Sequence, residues 1–348
     1  MINYIEVIDK VNNLLDENLE WVDRYAKYAE MLINDIKNVE EKDLNPQIGR
    51  VFDKNIYPIG KYSSISRIKS NRFMDIRYKG RNILQLETNK KNAYAYFWDE
   101  KLNEFRKKID WTKDSIKELK LYAECKISKI EEENKNHEYV VESSLKSKML
   151  EKPKEESFKG FVPVRIPRNR KRLLDFQMPT PLSASDIKTG IIKYSGHCGG
   201  GIDLLARSNK FIKKRDETTF CVIEIKDSLN KNEEPVVAIK QTIAYATFIG
   251  KLLRTNRARN DIWYSVFRGN IKDYKQKGYK QKLDKPIEIR AIIAMPLAEK
   301  TIDLSFDGLC LPFNKSNPLD KIILGYMDLE LDPRYNVKSI KNMQNTFK

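Results

Sequence analysis

Thr218-Thr219-Phe220-Cys221-Val222-Ile223-Glu224-Ile225-Lys226 is an apolar run that ends by setting a carboxylate and an ammonium two residues apart. A short apolar run of this kind predicts a buried strand. Successive strand side chains point to opposite faces, so Glu224 and Lys226 share one face while Ile223 and Ile225 share the other. Charges at the end of a core strand need a partner or a task, because burying an unpaired charge is costly. Just upstream, Gly201-Ile202-Asp203-Leu204-Leu205 reads as a second strand with its own embedded carboxylate. Two acids and a lysine on adjacent strands form a ready site for a divalent cation and an activated water. A Glu-x-Lys on a strand also occurs as a plain buried ion pair, so the residues around it decide the reading.

Outward from this strand, the pattern is that of a mixed α/β protein. Strands are expected over 187–194, 201–208 and 218–226. Pro235 then opens a helix running to about Arg254, since proline is welcome in a first turn. Ile287-Glu288-Ile289-Arg290-Ala291-Ile292-Ile293-Ala294-Met295 reads as a further core strand. A strand, a helix and another strand in succession imply a right-handed crossover and at least one parallel pair. Before the strands, residues 136–152 read as a helix with Val141, Leu145 and Met149 on one face. Glu138 and Glu142 fall within that face, either at its solvated margin or aimed at a buried site.

Residues 1–40 look helical, with apolar residues recurring at spacings of three and four. Phe73–Tyr78 and Asn82–Glu87 flank Lys79-Gly80-Arg81 as a hairpin, and 92–98 supply a third strand. A charged helical pattern follows over 102–135. This divides the chain into an accessory domain over 1–130 (helical, then β-hairpin, then helical), a core over 131–300, and a C-terminal extension with short strands over 301–348.

Composition limits the chemistry. Only two histidines, His137 and His197, argue against HNH-type nucleases, HD phosphohydrolases and zinc hydrolases. Cys125, Cys198, Cys221 and Cys310 form no CxxC pair and read as reduced structural thiols. A net charge of +16 favours a polyanionic partner. No run approaches the roughly 18–20 apolar residues of a membrane span, and the first residues lack the features of a signal peptide. A cytoplasmic protein with no membrane contact is the expectation, and a homodimer is compatible with the sequence.

Phosphodiester hydrolysis suits the acids and lysine found here. A hard cation lowers the pKa of a bound water and neutralises the scissile phosphate. Magnesium, or manganese in its place, takes oxygen ligands and keeps several waters, so two carboxylates and a carbonyl suffice. Asp203 and Glu224 fit as carboxylate ligands, the backbone carbonyl of Ile225 as a third, and Lys226 as the group that holds or deprotonates the attacking water. Downstream, Gln241-Thr242-Ile243-Ala244-Tyr245 puts Gln241 and Tyr245 on one helix face at i, i+4.

With Asp203, Glu224-x-Lys226 and Gln241-x-x-x-Tyr245 in this order, residues 136–296 resemble the PD-(D/E)XK nuclease superfamily, in particular its RecB-like branch. The resemblance implies a restriction-endonuclease-like core of helix, three strands, helix and strand, with a mixed sheet flanked by helices. It implies a Mg2+-dependent nuclease, with Asp203 as the first metal-binding acid, Glu224 the second, Lys226 the catalytic lysine, and Gln241 and Tyr245 supporting the site or touching substrate. The proline of the motif's name is Ile202 here, a position at which the superfamily varies. An acid on the preceding helix is also common in it, a role open to Glu142 or Glu138. An endonuclease acting on DNA ahead of RNA, with a place in bacterial defence or mobile-element biology, follows by family analogy. The alternatives are a nuclease acting on RNA or branched DNA, and a non-catalytic nucleic-acid-binding or interaction protein that keeps the fold.

The basic tracts extend that expectation. The stretch Arg165–Arg172, with Arg168, Arg170, Lys171 and Arg172, is broken by proline and reads as an extended phosphate-contact loop. Lys272–Lys282, with Lys275 and Lys277, interleaves tyrosine with lysine as a backbone-tracking, base-stacking loop would. Arg254, Arg257, Arg259 and Arg268 lie just before it. The Gly199-Gly200-Gly201 triplet leads into a strand rather than into a helix, so it reads as a turn allowing close backbone approach and not as a phosphate cradle.

Overall fold

The computed structural model describes residues 3–37, 59–63, 72–88, 93–99, 104–110, 115–133, 137–150, 158, 160–169, 172–183, 191–196, 199–208, 218–227, 235–268, 285–296 and 304–341. In chain order these form α1 (Tyr4–Glu17), α2 (Glu20–Lys37), β1 (Ile59–Ser63), β2 (Arg72–Tyr78), β3 (Arg81–Thr88), β4 (Ala93–Asp99), β5 (Glu104–Asp110), α3 (Ser115–Glu133) and α4 (Glu138–Leu150). Then come β6 (Phe161–Pro163), β7 (Arg165–Asn169), β8 (Arg172–Phe176), β9 (Met178–Pro179), β10 (Leu182–Ser183), β11 (Lys193–Tyr194), β12 (Gly201–Ile202), β13 (Leu204–Ser208) and β14 (Thr218–Ile225). The chain closes with α5 (Pro235–Arg254), α6 (Asn260–Phe267), β15 (Ile287–Met295), β16 (Cys310–Pro312), β17 (Lys321–Leu331) and β18 (Val337–Ile340). The protein is thus mixed α/β. Among the described residues, no helix is long and apolar enough to cross a membrane.

The chain divides into two compact units, a core unit (Met1–Ala29, Lys148–Val164, Gln177–Lys348) and a second unit (Glu30–Ser147, Arg165–Phe176). The expected boundaries near residues 130 and 300 do not coincide with this division. The N-terminal helix joins the core unit because its apolar stripe, Ile8, Val11 and Leu15, is buried against α5. Asn12 and Lys251 reinforce that packing: Asn12 Nδ2 donates to the Phe313 carbonyl at 3.1 Å, and Lys251 pairs with Asp16 at 2.6 Å. The segment expected to be an extension is integral, since β17 pairs in parallel with β15 along its length.

In the core unit the main sheet runs β16-β17-β15-β14-β13-β6. The expected parallel pair is present between β14 and β15, with α5 as the crossover, and β15–β17 adds another. Strands covered on both faces read as continuous apolar runs, and Phe220 to Ile225 and Ala291 to Met295 are buried throughout. The third strand beside β13 is β6, not the segment 187–194. Of that segment, residues 193–194 form β11 and pair with β10 as a two-stranded ribbon, while 187–190 lie outside the described residues. The short β6 wins the sheet edge because Phe161 and Pro163 are buried while it matches Ala206–Ser208. α5 is sandwiched between this sheet and α1, so it is apolar nearly all round; its buried threonines, Thr242 and Thr247, bond back to carbonyls four residues earlier. Trp21, Tyr25, Phe248 and Trp263 pack together, mostly edge to face.

In the second unit, β5-β4-β3-β2-β1-β8-β7 form one sheet, antiparallel except for β1–β8. Its core is Ile76, Ile83, Leu84, Leu86, Ala95 and Phe97, capped by Leu119 and Ala123 of α3. Two expectations change here. Residues 104–110 are not helical but pair with β4: the antiparallel edge of β4 satisfies their main chain, which the density of charged residues obscured. The arginine-rich stretch expected as a loop instead supplies β7 and β8, which pair antiparallel, with Pro167 at a register irregularity, where a missing N–H is tolerated.

Asp320 is a highly connected buried charge of the core unit. It is fully buried and accepts from both Arg254 Nε (2.7 Å) and Arg254 Nη2 (2.5 Å), from the Ile287 amide (2.8 Å) and from Asn314 Nδ2 (2.9 Å). One carboxylate therefore ties the end of α5 to the start of β15 and the turn before β17. Asp320→Ala strands the guanidinium and the amide, and should cost about 3–5 kcal/mol, read as a lowered urea midpoint with little change in slope.

Candidate functional site

β13 stays on β14 only as far as Leu204↔Ile223. One residue earlier, at Asp203, the chain leaves β14, and β12 pairs instead with β9 through Gly201↔Pro179 and Ile202↔Met178. The parting leaves the amide of Ile225 facing no strand on that side. Asp203 fills the gap: its Oδ2 accepts from the Ile225 N–H at 2.9 Å. The antiparallel register sets Asp203 opposite Glu224, so both acids occupy the point where the strands part.

The glycine triplet makes this parting sterically feasible, as its sequence implied. A Cβ on Gly199 would lie 1.9 Å from the Thr180 carbonyl oxygen, and one on Gly200 would lie 2.3 Å from the Tyr245 hydroxyl. Thr180 N donates to Gly200 O and Gly200 N to Leu182 O, both at 2.8 Å. Any side chain at either position forces the strand away from its support.

Glu224 is 1 % exposed and Lys226 7 %. Lys226 Nζ donates to Glu224 Oε1 at 2.9 Å, and Gln241 Nε2 donates to the same oxygen at 2.6 Å. The Lys226 amide bonds the Ala294 carbonyl at 2.9 Å, so the strand direction is fixed one residue beyond β14. Tyr245 stands one turn below Gln241, its hydroxyl 3.4 Å from Gln241 Nε2. Burial, then the Glu224 charge, raise the Tyr245 pKa, so the phenol stays protonated. At 1 % exposure Tyr245 supports Gln241 and abuts Gly200; the expected contact with nucleic acid does not suit so buried a ring. Asp203, Glu224, the Ile225 main chain, Lys226, Gln241 and Tyr245 thus converge within the core unit.

The other expected residues are distributed differently. Arg168 lies in β7 and Arg172 in β8, both in the second unit. Arg170, Lys171, Lys275 and Lys277 lie outside the described residues, as do His197 and Cys198. Arg254 is committed to Asp320, Arg257 pairs with Asp23 at 3.3 Å, and Arg268 stacks over Tyr264. Cys221 is a buried thiol whose pKa burial pushes up to about 12.

Glu142 groups with the second unit, not with the strands that carry Asp203 and Glu224. It is buried, and among its charged neighbours there are Lys146, Arg77 and Asp175. Arg165 Nε stands 3.1 Å from Asp175 Oδ1, and Gln85 donates to Asp75 at 2.7 Å, so this is a mixed, largely compensated ionic cluster. Glu138 is half-buried at the first turn of the same helix.

The residues that sequence reasoning missed are Arg24 and Tyr25 of α2 and Thr180. Their signal was weak: an arginine and a tyrosine inside an amphipathic helix, and a Pro-Thr-Pro turn. Among the described residues no group of three or more His, Cys, Asp or Glu side chains is disposed to hold a metal. Compared with protein-family models, curated proteins and solved structures, the chain matches none.

Burial raises the Glu142 pKa above its ordinary value of 4.5, against the opposing pull of Lys146 and Arg77. The folded chain therefore keeps that proton after the unfolded chain has lost it. The contribution of Glu142 to stability is fully present below about pH 4.5 and is lost as pH rises through the folded pKa. Glu142→Gln, which fixes the neutral form, should match the wild type near pH 4 and become progressively more stable than it toward neutrality. Urea denaturation at a series of pH values measures this, and a pH-independent difference would contradict it.

Proposed function

We propose that the chain is a metal-dependent nuclease of the PD-(D/E)XK kind, with a restriction-endonuclease-like core and DNA as its first-choice substrate. One observation carries the reading. Asp203 bonds the Ile225 amide, and Lys226 and Gln241 meet on one oxygen of Glu224 where β13 parts from β14. A plain buried ion pair accounts for Glu224 and Lys226, but not for a second donor from α5 or for a carboxylate replacing a strand. Within the core unit the sheet strands β6, β13 and β14 precede α5 and β15, in keeping with the strands, helix and strand that the resemblance implies, and the net charge of +16 suits a polyanionic substrate.

The donor set fits a hard cation. The Asp203 and Glu224 carboxylates and the Ile225 carbonyl are all oxygen donors, and two acids suit magnesium, which keeps several waters. Asp203, Glu224 and that carbonyl would hold Mg2+ or Mn2+; when bound, the cation supplies an acidified water and charge neutralisation at the phosphate. The chain's own groups do the rest. Lys226 offsets the crowding of two carboxylates and presents an amine for orienting or deprotonating water. Gln241 fixes the orientation of Glu224, and Tyr245 fixes that of Gln241. The Asp203–Ile225 bond holds the first acid at the strand end.

Purified protein with Mg2+ or Mn2+ should cut nucleic acid, and EDTA should stop it. A panel of duplex, single-stranded and branched DNA and of RNA identifies the substrate. Asp203→Asn and Lys226→Ala should lower the rate by at least about 10²–10³-fold while circular dichroism shows the fold retained. Unchanged cleavage by Glu224→Ala would overturn the assignment. Binding that survives EDTA, with no substrate cut, would identify a non-catalytic binding protein instead.

A further inference from the structure

Asp203 is carried by β12, and β12 is held from outside the main sheet. Its partner is β9, and the loop leading into it bonds the turn after β9 through Thr180 and Leu182. That supporting layer is in turn gripped by α2, from a part of the sequence far from the site. The Tyr25 hydroxyl donates to the Pro179 carbonyl at 2.5 Å. Arg24 Nη1 donates to the carbonyl of Gly196, the last described residue before the glycine triplet. Both side chains are buried, at 6 % exposure for Arg24 and 1 % for Tyr25. Their helix is pinned there, because the Tyr25 carbonyl accepts from Trp263 Nε1 at 3.2 Å and the Tyr25 ring meets Phe248 edge to face. Burial keeps the Tyr25 phenol protonated and hence a donor.

We infer that Arg24 and Tyr25 are positioning residues for Asp203, acting through the carbonyls of Gly196 and Pro179 to fix β9 and β12 where β13 leaves β14. The two grips lie on either side of the segment. Pro179 faces Gly201 across the β9–β12 pair, and Gly196 precedes the triplet in sequence. Releasing either lets β12 drift, and the first thing to change is the bond from the Ile225 amide to Asp203 Oδ2. Only the effect of that drift on cleavage rests on the nuclease reading.

The full chain as Tyr25→Phe, Arg24→Met and Arg24→Lys tests this by residue-resolved hydrogen exchange, with metal titration of cleavage beside it. Exchange of the Ile225 amide should quicken about tenfold in Tyr25→Phe and Arg24→Met, while the Cys221 and Ile223 amides within β14 keep their rates. Arg24→Lys should restore protection, since one amine serves one carbonyl. Half-maximal cleavage should need several-fold more Mg2+ in the first two variants, with the rate at saturating metal largely kept. An unchanged Ile225 amide, or one that quickens in step with all of β14, overturns the inference. A wild-type chain that cuts nothing overturns the nuclease reading and leaves the exchange result to judge the positioning.

Discussion

The bond from the Ile225 amide to the Asp203 carboxylate is the constraint on which the site depends. A main-chain donor at the end of a buried strand must find an acceptor, and ordinarily the next strand supplies it. Here β13 turns away one residue too early, and a side chain takes over that duty. The same substitution accomplishes two things. It ends the sheet without an orphaned amide, and it holds a carboxylate at the place where Glu224 and Lys226 emerge from β14. An aliphatic residue at 203 would leave the amide unmatched, and a longer acid would not sit at the same depth. The chemistry of the site and the termination of the sheet are thus one arrangement.

Three buried ionic clusters in this chain show how context distinguishes a charge tied only into packing from one that supports the proposed site. Asp320 has donors on every side: a guanidinium gripping both oxygens, a backbone amide and an asparagine. Glu142 sits among cations and another acid, with burial the largest influence on it. Glu224, on which Lys226 and Gln241 converge, differs from both in standing opposite a second carboxylate, Asp203, at the point where its strand leaves β14. A cluster meant only to balance charge gains nothing from that parting. The distortion of β12 and the three glycines that permit it are what a purely structural account of Glu224 and Lys226 leaves without a reason.

Much of this was legible in the residues because the decisive elements are strongly patterned. β14, α5 and β15 were readable from unbroken apolar runs and a helix-opening proline, and with them the parallel pair. Helical spacing put Gln241 and Tyr245 on one face, and the family resemblance gave them their place at the site. What the pattern hid depended on partners distant in sequence. Three-residue β6 carries too little sequence to announce a strand, yet it takes the sheet edge that 187–194 was expected to fill. β5 resembles a charged helix until β4 offers it an edge. The helix of Glu142 could be predicted, but nothing local to it says which sheet its acid will meet. Arg24 and Tyr25 were invisible for the same reason, because their significance lies in two carbonyls more than 150 residues away.

The support of the site also explains why its natural unit is larger than the motif-bearing segment. Gln241 is aimed by α5, and α5 is buried nearly all round because α1 covers a face that the sheet does not. The sheet beneath it is complete only with β17, which flanks β15 and whose preceding turn receives Arg254 from the end of α5. On the other side of the site, Asp203 is steadied by β9, and β9 by α2. Residues 131–300 alone would keep every acid and base of the motif while uncovering Phe248, against which Trp21 and Tyr25 pack, and freeing one edge of β15. The residues of the motif lie in the middle of the chain; the N-terminal helices and the last strands are what hold them together.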